Sequence, residues 1–294
     1  MREDVRGRLE AAGLDPAAVM ALTAAALTED LAGGIDVTTA ATVPAGLDGR
    51  ADVVARAAGV VAGLAVAETV FWLASPGNQV RCTDRAADGD AVVAGQAVLT
   101  VTGSISALLT AERTALNLLC HLSGVATLTR RWVDAVAGTG ARIRDTRKTT
   151  PGLRLLEKYA VRCGGGVNHR MSLSDAALIK DNHVAAAGSV SAAFAAVRAS
   201  EPGLPLEVEC DTLDQVAEAL AAGADLILLD NFAVADLAAA VQLTDGRALL
   251  EASGGITLGR ARAVAQTGVD YLAVGALTHS APALDFGLDL TQPG

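Results

Sequence analysis

From Arg142 onward the chain repeats one pattern, a short apolar run followed by a stretch of helical period. The runs are ARIRDT, AALIKD, PLEVEC, ADLILLD, RALLEAS and VDYLAVG. Between them, segments such as TLDQVAEALAAG and LGRARAVAQTG space apolar residues three and four apart and end in glycine, the signature of helices and their C-caps. Alternation at this spacing requires βαβ units, because parallel strands must be joined by a crossover. Six good strands and a candidate seventh fall short of the eight that close a barrel. The predicted fold class is therefore α/β, an open or incomplete TIM-like barrel, with a doubly wound sheet as the alternative.

The first 110 or so residues read differently. Helical, alanine-rich patterns cover 4–32 and 60–75, and strand-like runs follow in ADVVARA, AVVAG and AVLTVTG, the last two separated at Gly-Gln. The long stretch ALLTAERTALNLLCHLSGVATLTRRWVDAV predicts one helix or two leading into the second domain. Aromatics are only 3% of a chain that is 51% hydrophobic, so the core must be built from Val, Leu, Ile and Ala. The four cysteines show no CxxC spacing, which suggests neither zinc nor a disulfide framework. The charged N-terminus MREDVRGRLE lacks a signal-peptide core, and no run of about 18 apolar residues is present. A cytoplasmic protein is the expectation.

Charge is distributed unevenly. The net charge is −10, which argues against nucleic-acid or anionic-membrane binding. Yet 142–180 holds nine Lys/Arg against three acids, a local excess of six positive charges. A basic island in an acidic chain suggests a small polyanion as ligand. TRKTTPG places Arg147 and Lys148 side by side within it. GGGVNHR, Gly164 to Arg170, is glycine-rich enough for close backbone approach to a ligand and ends in His169 and Arg170, although a plain surface loop reads the same way. Arginine suits planar carboxylates through two parallel hydrogen bonds, whereas Lys148 and Lys180 suit phosphates as point charges.

In a barrel of this type the C-terminal strand ends carry the chemistry. The runs here end at Arg147-Lys148, Lys180-Asp181, Glu209, Asp230, Ser253-Gly254-Gly255 and Gly275. One polar strand end is unremarkable, since strand ends meet solvent; six in succession, with two lysines and two acids, point to a site. SGGITLGRARAVA sets glycines before a helix, where free backbone N–H groups and the positive dipole end bind phosphate. VGALTHS offers a second such turn, and paired late-strand loops form the usual phosphate site of barrels. By contrast, Glu112-Arg113 reads as a solvated pair, and EDLAGGIDVTT as a helix end with a capping turn.

The stretch TRKTTPGLRLLEKYAVRCGGGVNHRMSLSDAALIKDNH closely resembles the central signature of the quinolinate phosphoribosyltransferases. ALTEDLAGGIDVTT, ERTALNLLCHLSGVAT, EVEC, LILLDN, EASGGI and VGALTHS follow in that family's order, so the likeness spans nearly the whole chain. It implies an α/β N-terminal sandwich domain, 1–115 joined by 277–294, and an open barrel over 116–276. It implies transfer of a phosphoribosyl group from 5-phosphoribosyl 1-diphosphate to quinolinate with decarboxylation, Mg²⁺ accompanying the diphosphate, in a homodimer that shares its sites. By resemblance, Arg147, His169, Arg170 and Lys180 hold quinolinate, with Arg113 reaching in from the partner subunit. Lys148 contacts the phosphoribosyl substrate, and Thr149 is a further substrate-binding residue. Its 5′-phosphate sits on Ser253, Gly254 and Gly255 and on Val274, Gly275 and Ala276. Glu209 and Asp230 face the ribose and the metal-bound diphosphate, and with Lys148 they form the implied catalytic set. Two rivals are a paralogous transferase for another pyridine acid and a phosphate-binding barrel without catalysis. The acids Glu209 and Asp230, opposite a diphosphate, argue against the second. No departure is evident at the motif positions, but Cys210-Asp211 follows Glu209 where apolar or basic residues are expected.

Overall fold

Local chemistry sets the element ends. In the computed structural model, which describes residues 2–291 apart from Pro76 and Asn78, the predicted helical span 4–32 divides into α1 (Glu3–Ala11) and α2 (Pro16–Leu31). Gly13 turns the chain at φ +70°, which an L side chain resists, and Asp15 caps α2 by accepting the Ala17 N–H at 2.9 Å. Asp36 does the same for Thr39 at the start of α3 (Val37–Thr42), so EDLAGGIDVTT is the helix end and cap its sequence suggests.

Two compact units result. The first takes residues up to 130, 150–165, and 280 onward, and the last three of the chain lie outside the described residues. Its four-stranded antiparallel sheet has the order β12-β1-β5-β3, with β1 at Asp48–Ala55, β3 at Arg81–Asp84, β5 at Ala97–Ser104 and β12 at Phe286–Thr291. Val53 lies opposite Leu288 on one side and Leu99 on the other, in the buried layer. AVVAG contributes only β4 (Ala91–Val92), which pairs with β2 (Gly59–Val60) and not with its sequence neighbour β5. β3 carries no apolar alternation and was not expected. Helix α4 (Leu64–Ala74) buries Val66, Val70 and Phe71.

A single helix, α5 (Ile105–Ala135), covers the long helical stretch, and the division between units falls within it, after Arg130. The expected boundary at 115/116 also falls on this helix. Helix α6 (Arg154–Cys163) clusters with the first unit although it lies between two barrel strands in sequence. First-unit side chains hold it: His121 Nε2 lies 2.8 Å from Glu157, Arg130 Nε donates to the Gly164 carbonyl at 3.0 Å, and Tyr159 donates to Asp88 at 2.5 Å.

The second unit holds the six expected strands as one parallel sheet, β6 (Arg142–Arg144), β7 (Ala177–Ile179), β8 (Leu206–Cys210), β9 (Leu226–Asp230), β10 (Leu249–Ser253) and β11 (Tyr271–Ala273). Their order is β6-β11-β10-β9-β8-β7, so the two edge strands, β6 and β7, are also adjacent in sequence. The barrel is open, and among the described residues no seventh strand joins it. Helices α8 (Val190–Ser200) and α9 (Leu213–Ala221) start on side-chain caps, Ser189 to the Ala192 N–H and Thr212 to the Gln215 N–H. Strand cores are dry: Val208, Ile227, Leu229 and Leu272 have no exposed surface. Among the described residues no single helix is long and apolar enough to cross a membrane.

Candidate active site

Successive side chains of a strand alternate faces, so the residues that project to one side of this sheet recur at every second position. In β7 to β10 these inward positions end in Lys180, Glu209, Asp230 and Ser253, at or just past the strand ends. Together with Thr146, Arg147, Lys148, His169 and Arg170 they line a cavity of about 270 Å³. Leu178, Leu228, Glu251 and Ala273 complete its wall.

The loop after β6 is shaped by its own backbone and hydroxyls. Thr146 Oγ1 accepts the Lys148 N–H at 3.0 Å, and the Arg147 carbonyl accepts the Thr149 N–H at 2.9 Å. Thr278, in α12 (Ala276–His279), donates its hydroxyl to the Lys148 carbonyl at 2.8 Å and ties this loop to the turn after β11. Gly275 in that turn passes close to Lys148: a Cβ there would lie 3.0 Å from the lysine Cδ. Val274 is buried below the turn, and Ala276 opens α12. Thr149 is half-buried and is not part of the cavity wall.

The cavity is electropositive. Arg147 Nε is buried without a hydrogen-bond partner. Arg170 donates through Nη1 to the Ala176 carbonyl at 2.9 Å, and burial together with the like charge of Arg147 pushes its pKa down. Lys180 is ion-paired with Glu209. The backbone N–H groups of Met171 and Ser172 donate to Asp175, which pins the loop that carries Arg170.

At the second glycine turn, Gly254 adopts φ +88°, and a Cβ there would collide with Asn231 Oδ1. Asn231 is itself left-handed, at φ +57°, donates to Asp230 Oδ2 at 2.6 Å and donates its N–H to the Ser253 carbonyl at 2.9 Å. One asparagine thus fixes both the Asp230 carboxylate and the Ser253–Gly255 loop. Gly254 and Gly255 line a hollow of about 310 Å³ that Ser253 shares with the main cavity.

Beneath the cavity lies a buried ionic cluster that motif reading missed. Arg144 Nη1 lies 2.5 Å from Glu251 Oε2 and 3.8 Å from Glu207 Oε1, and its guanidinium stacks 4.9 Å from the Tyr271 ring centre. His169 Nε2 meets Glu207 Oε2 at 2.8 Å, its Nδ1 accepts the Arg170 N–H at 2.7 Å, and its own N–H donates to Asp145 at 2.8 Å. His169 therefore lines the cavity with both ring nitrogens engaged by the protein. Burial, and then repulsion from Glu207, raise the Glu251 carboxyl to about 8. Burial works against the Arg144 charge, but the Glu251 and Glu207 carboxylates outweigh it and raise its pKa. His169, Glu207 and Glu251 present ligand atoms within 4.8 Å of one another, but the cluster already has its cation in Arg144.

Arg113 is exposed on α5 and belongs to the first unit, and every residue of the cavity wall belongs to the second.

The family models for the N-terminal and C-terminal domains of quinolinate phosphoribosyl transferase match 36–123 and 125–289. The nicotinate-nucleotide pyrophosphorylase [carboxylating] of Mycobacterium leprae is 58% identical over 268 residues, covering 90% of this chain and 94% of that protein. Among solved structures, NadC from Streptococcus pyogenes superposes with a TM-score of 0.90 at 43% identity, over 95% of this chain and 99% of that one. The nicotinate-nucleotide pyrophosphorylase from Francisella tularensis does so at 0.89 and 38%, over 93% and 96%.

Proposed function

The chain belongs to the quinolinate phosphoribosyltransferase family, and we propose that the cavity at the strand ends of its second unit is where that reaction takes place. The enzyme is a carboxylating nicotinate-nucleotide pyrophosphorylase. It converts quinolinate and 5-phosphoribosyl 1-diphosphate to nicotinate mononucleotide, carbon dioxide and pyrophosphate, in NAD biosynthesis.

The observation that carries the assignment of the site is Arg147: a buried guanidinium nitrogen, unpartnered within the protein, faces a cavity that Arg170 and Lys180 also line. Desolvated donors of this kind are costly unless a ligand satisfies them, and a planar dicarboxylate does so. Arg147, Arg170 and Lys180 hold the two carboxylates, and the His169 ring forms a wall. Lys148 sits beside the phosphoribosyl substrate, whose 5′-phosphate is taken by Ser253–Gly255 and Val274–Ala276. Glu209 and Asp230 face the anomeric carbon and stabilise the positive charge that grows there as pyrophosphate departs. Two carboxylates at the rim supply the hard oxygen donors that suit Mg²⁺ carried by the diphosphate. When bound, that ion neutralises charge on the leaving group. Attack by the ring nitrogen gives a pyridinium that accepts the electron pair released by decarboxylation, so no protein nucleophile is required. Positioning supplies much of the rate. The same reading carries a cytoplasmic homodimer in which Arg113 completes the partner's site.

The test is an assay of the purified protein with quinolinate, 5-phosphoribosyl 1-diphosphate and Mg²⁺, following nicotinate mononucleotide by mass and released carbon dioxide, with nicotinate as the parallel substrate. Product from nicotinate alone would overturn the dicarboxylate assignment. In Arg147→Ala, KM for quinolinate should rise roughly 10- to 150-fold, the equivalent of one lost charged hydrogen bond. Unchanged quinolinate kinetics would remove Arg147 from the site.

A further inference from the structure

The ionic cluster under the cavity contains a proton that phosphoribosyl transfer does not use. Its members come from separate elements: Arg144 from β6, His169 from the loop after α6, Glu207 from β8 and Glu251 from β10. Glu251 has no exposed surface, and Glu207 and His169 are buried. Glu251 Oε1 has no hydrogen-bond partner, and Glu251 lines the cavity.

Counting charges locates the proton. His169 Nδ1 accepts the Arg170 N–H, so its ring proton sits on Nε2, directed at Glu207, and the imidazole is neutral. Arg144 is then the cluster's cation. Two carboxylates against one guanidinium would leave a buried net negative charge. One proton on the carboxylates relieves this. Glu207 Oε2 already accepts from His169, and Glu251 Oε2 accepts from Arg144. Oε1 of each glutamate is buried without a hydrogen-bond partner, and of the two residues only Glu251 belongs to the cavity wall. Of the remaining cations there, Arg147, Arg170 and Lys180 are assigned to the carboxylates of the substrate and Lys148 to its phosphoribosyl partner. Burial and the Glu207 carboxylate push Glu251 in the same direction, up to about 8.

Resting on the reaction assigned above, we propose that Glu251 is the acid that protonates the ring carbon from which carbon dioxide departs. The bond between that carbon and its carboxylate breaks, and the electron pair stays on the carbon beside the pyridinium nitrogen. The carbon takes the proton of Glu251 Oε1, a C–H bond forms, and Glu251 is left as the carboxylate. Nothing is oxidised or reduced. Solvent returns the proton once product leaves.

The experiment compares wild type with Glu251→Gln in an equal mixture of H₂O and D₂O, and reads the protium-to-deuterium ratio at the new C–H of nicotinate mononucleotide by mass. That ratio reports which group delivers the proton, whichever step limits the rate. Expected is a shifted ratio in the variant and a fall in kcat of about 10²-fold or more, with both KM values little changed. An unshifted ratio overturns the proposal. Should Glu251→Gln fail to fold, the wild-type ratio measured below and above pH 8 takes its place, and the same ratio on both sides overturns it. Nicotinate mononucleotide from wild type with an unmoved ratio sinks only the role of Glu251. No product at all sinks the reaction assigned to the site as well.

Discussion

Arg144→Met removes the guanidinium that holds the floor of the cavity together. The side chain is only 16% exposed and loses three things at once: the pair with Glu251 at 2.5 Å, the longer attraction to Glu207 at 3.8 Å and the stack on Tyr271. Deleting one partner of a buried pair costs roughly 3–5 kcal/mol, because the charge left behind stays desolvated. With Glu251 protonated, one carboxylate rather than two is left uncompensated. That places the loss near the lower end, about 3 kcal/mol, with the lost stack adding roughly 1 kcal/mol. Urea unfolding followed through Trp132, the tryptophan of this unit, with Trp72 in the first unit changed to Phe, should show a midpoint lower by roughly 1–3 M at an unchanged slope. Adding Glu207→Gln to Arg144→Met should recover much of the loss, since the carboxylate left without its cation is then removed as well. The pH dependence has a definite sign. Without Arg144 the Glu251 carboxyl loses the cation that holds its pKa down and rises further above its unfolded value, so the folded state binds more protons than the unfolded chain. The deficit must then shrink as pH falls toward the ordinary carboxylate range and grow as pH rises. A loss under about 1 kcal/mol, or a deficit that deepens in acid, would refute the reasoning.

Two glycines test the scaffold around the site. Gly254→Ala places a Cβ at φ +88° against Asn231, whose backbone nitrogen it would meet at 2.8 Å. Strain of about 1–3 kcal/mol in the glycine loop should raise KM for 5-phosphoribosyl 1-diphosphate about tenfold or more and leave KM for quinolinate nearly unchanged, which steady-state kinetics will separate. Gly124→Ala acts in the first unit, where a Cβ on α5 would lie 2.9 Å from Ala283 Cα, just ahead of β12. A loss of about 1–3 kcal/mol is expected, read as a lower thermal midpoint and faster hydrogen exchange in β12.

How much of this was legible in the sequence depends on which physical signal a residue carries. The six barrel strands announce themselves, because each is a short apolar run followed by a capped helix, and local pattern decides both. β3 does not, since RCTD has no alternation and is a strand only because β5 offers it a ladder, from Arg81 opposite Thr102 to Asp84 opposite Leu99. The attachment of α6 to the first unit was equally hidden, for it rests on His121, Arg130 and Asp88, none of them adjacent to that helix in sequence. At the site, the strand-end residues that line the cavity stand out in the sequence as a group, because polarity there interrupts an apolar run. Glu207, Glu251 and Arg144 were passed over, because a charged residue within an apolar run looks like an exception and carries no motif.

Yet the signal that finds them is the pleat itself. Glu207 stands two residues before Glu209, Glu251 two before Ser253, Leu228 two before Asp230 and Leu178 two before Lys180, so each shares its neighbour's face. Once the strand-end residue is assigned to the cavity, the residue two positions back must lie below it, on the barrel's inner side. Where that residue is Leu228 or Leu178, the floor is ordinary core. Where it is Glu207 or Glu251, the chain has placed a charge where water does not reach, and such a charge requires a partner or a proton. Arg144, two residues before Thr146 on β6, is the partner, and it can neutralise only one of the two glutamates. The need for one proton on this pair of glutamates thus follows from strand register and charge balance, two steps that a sequence already contains once its site is known.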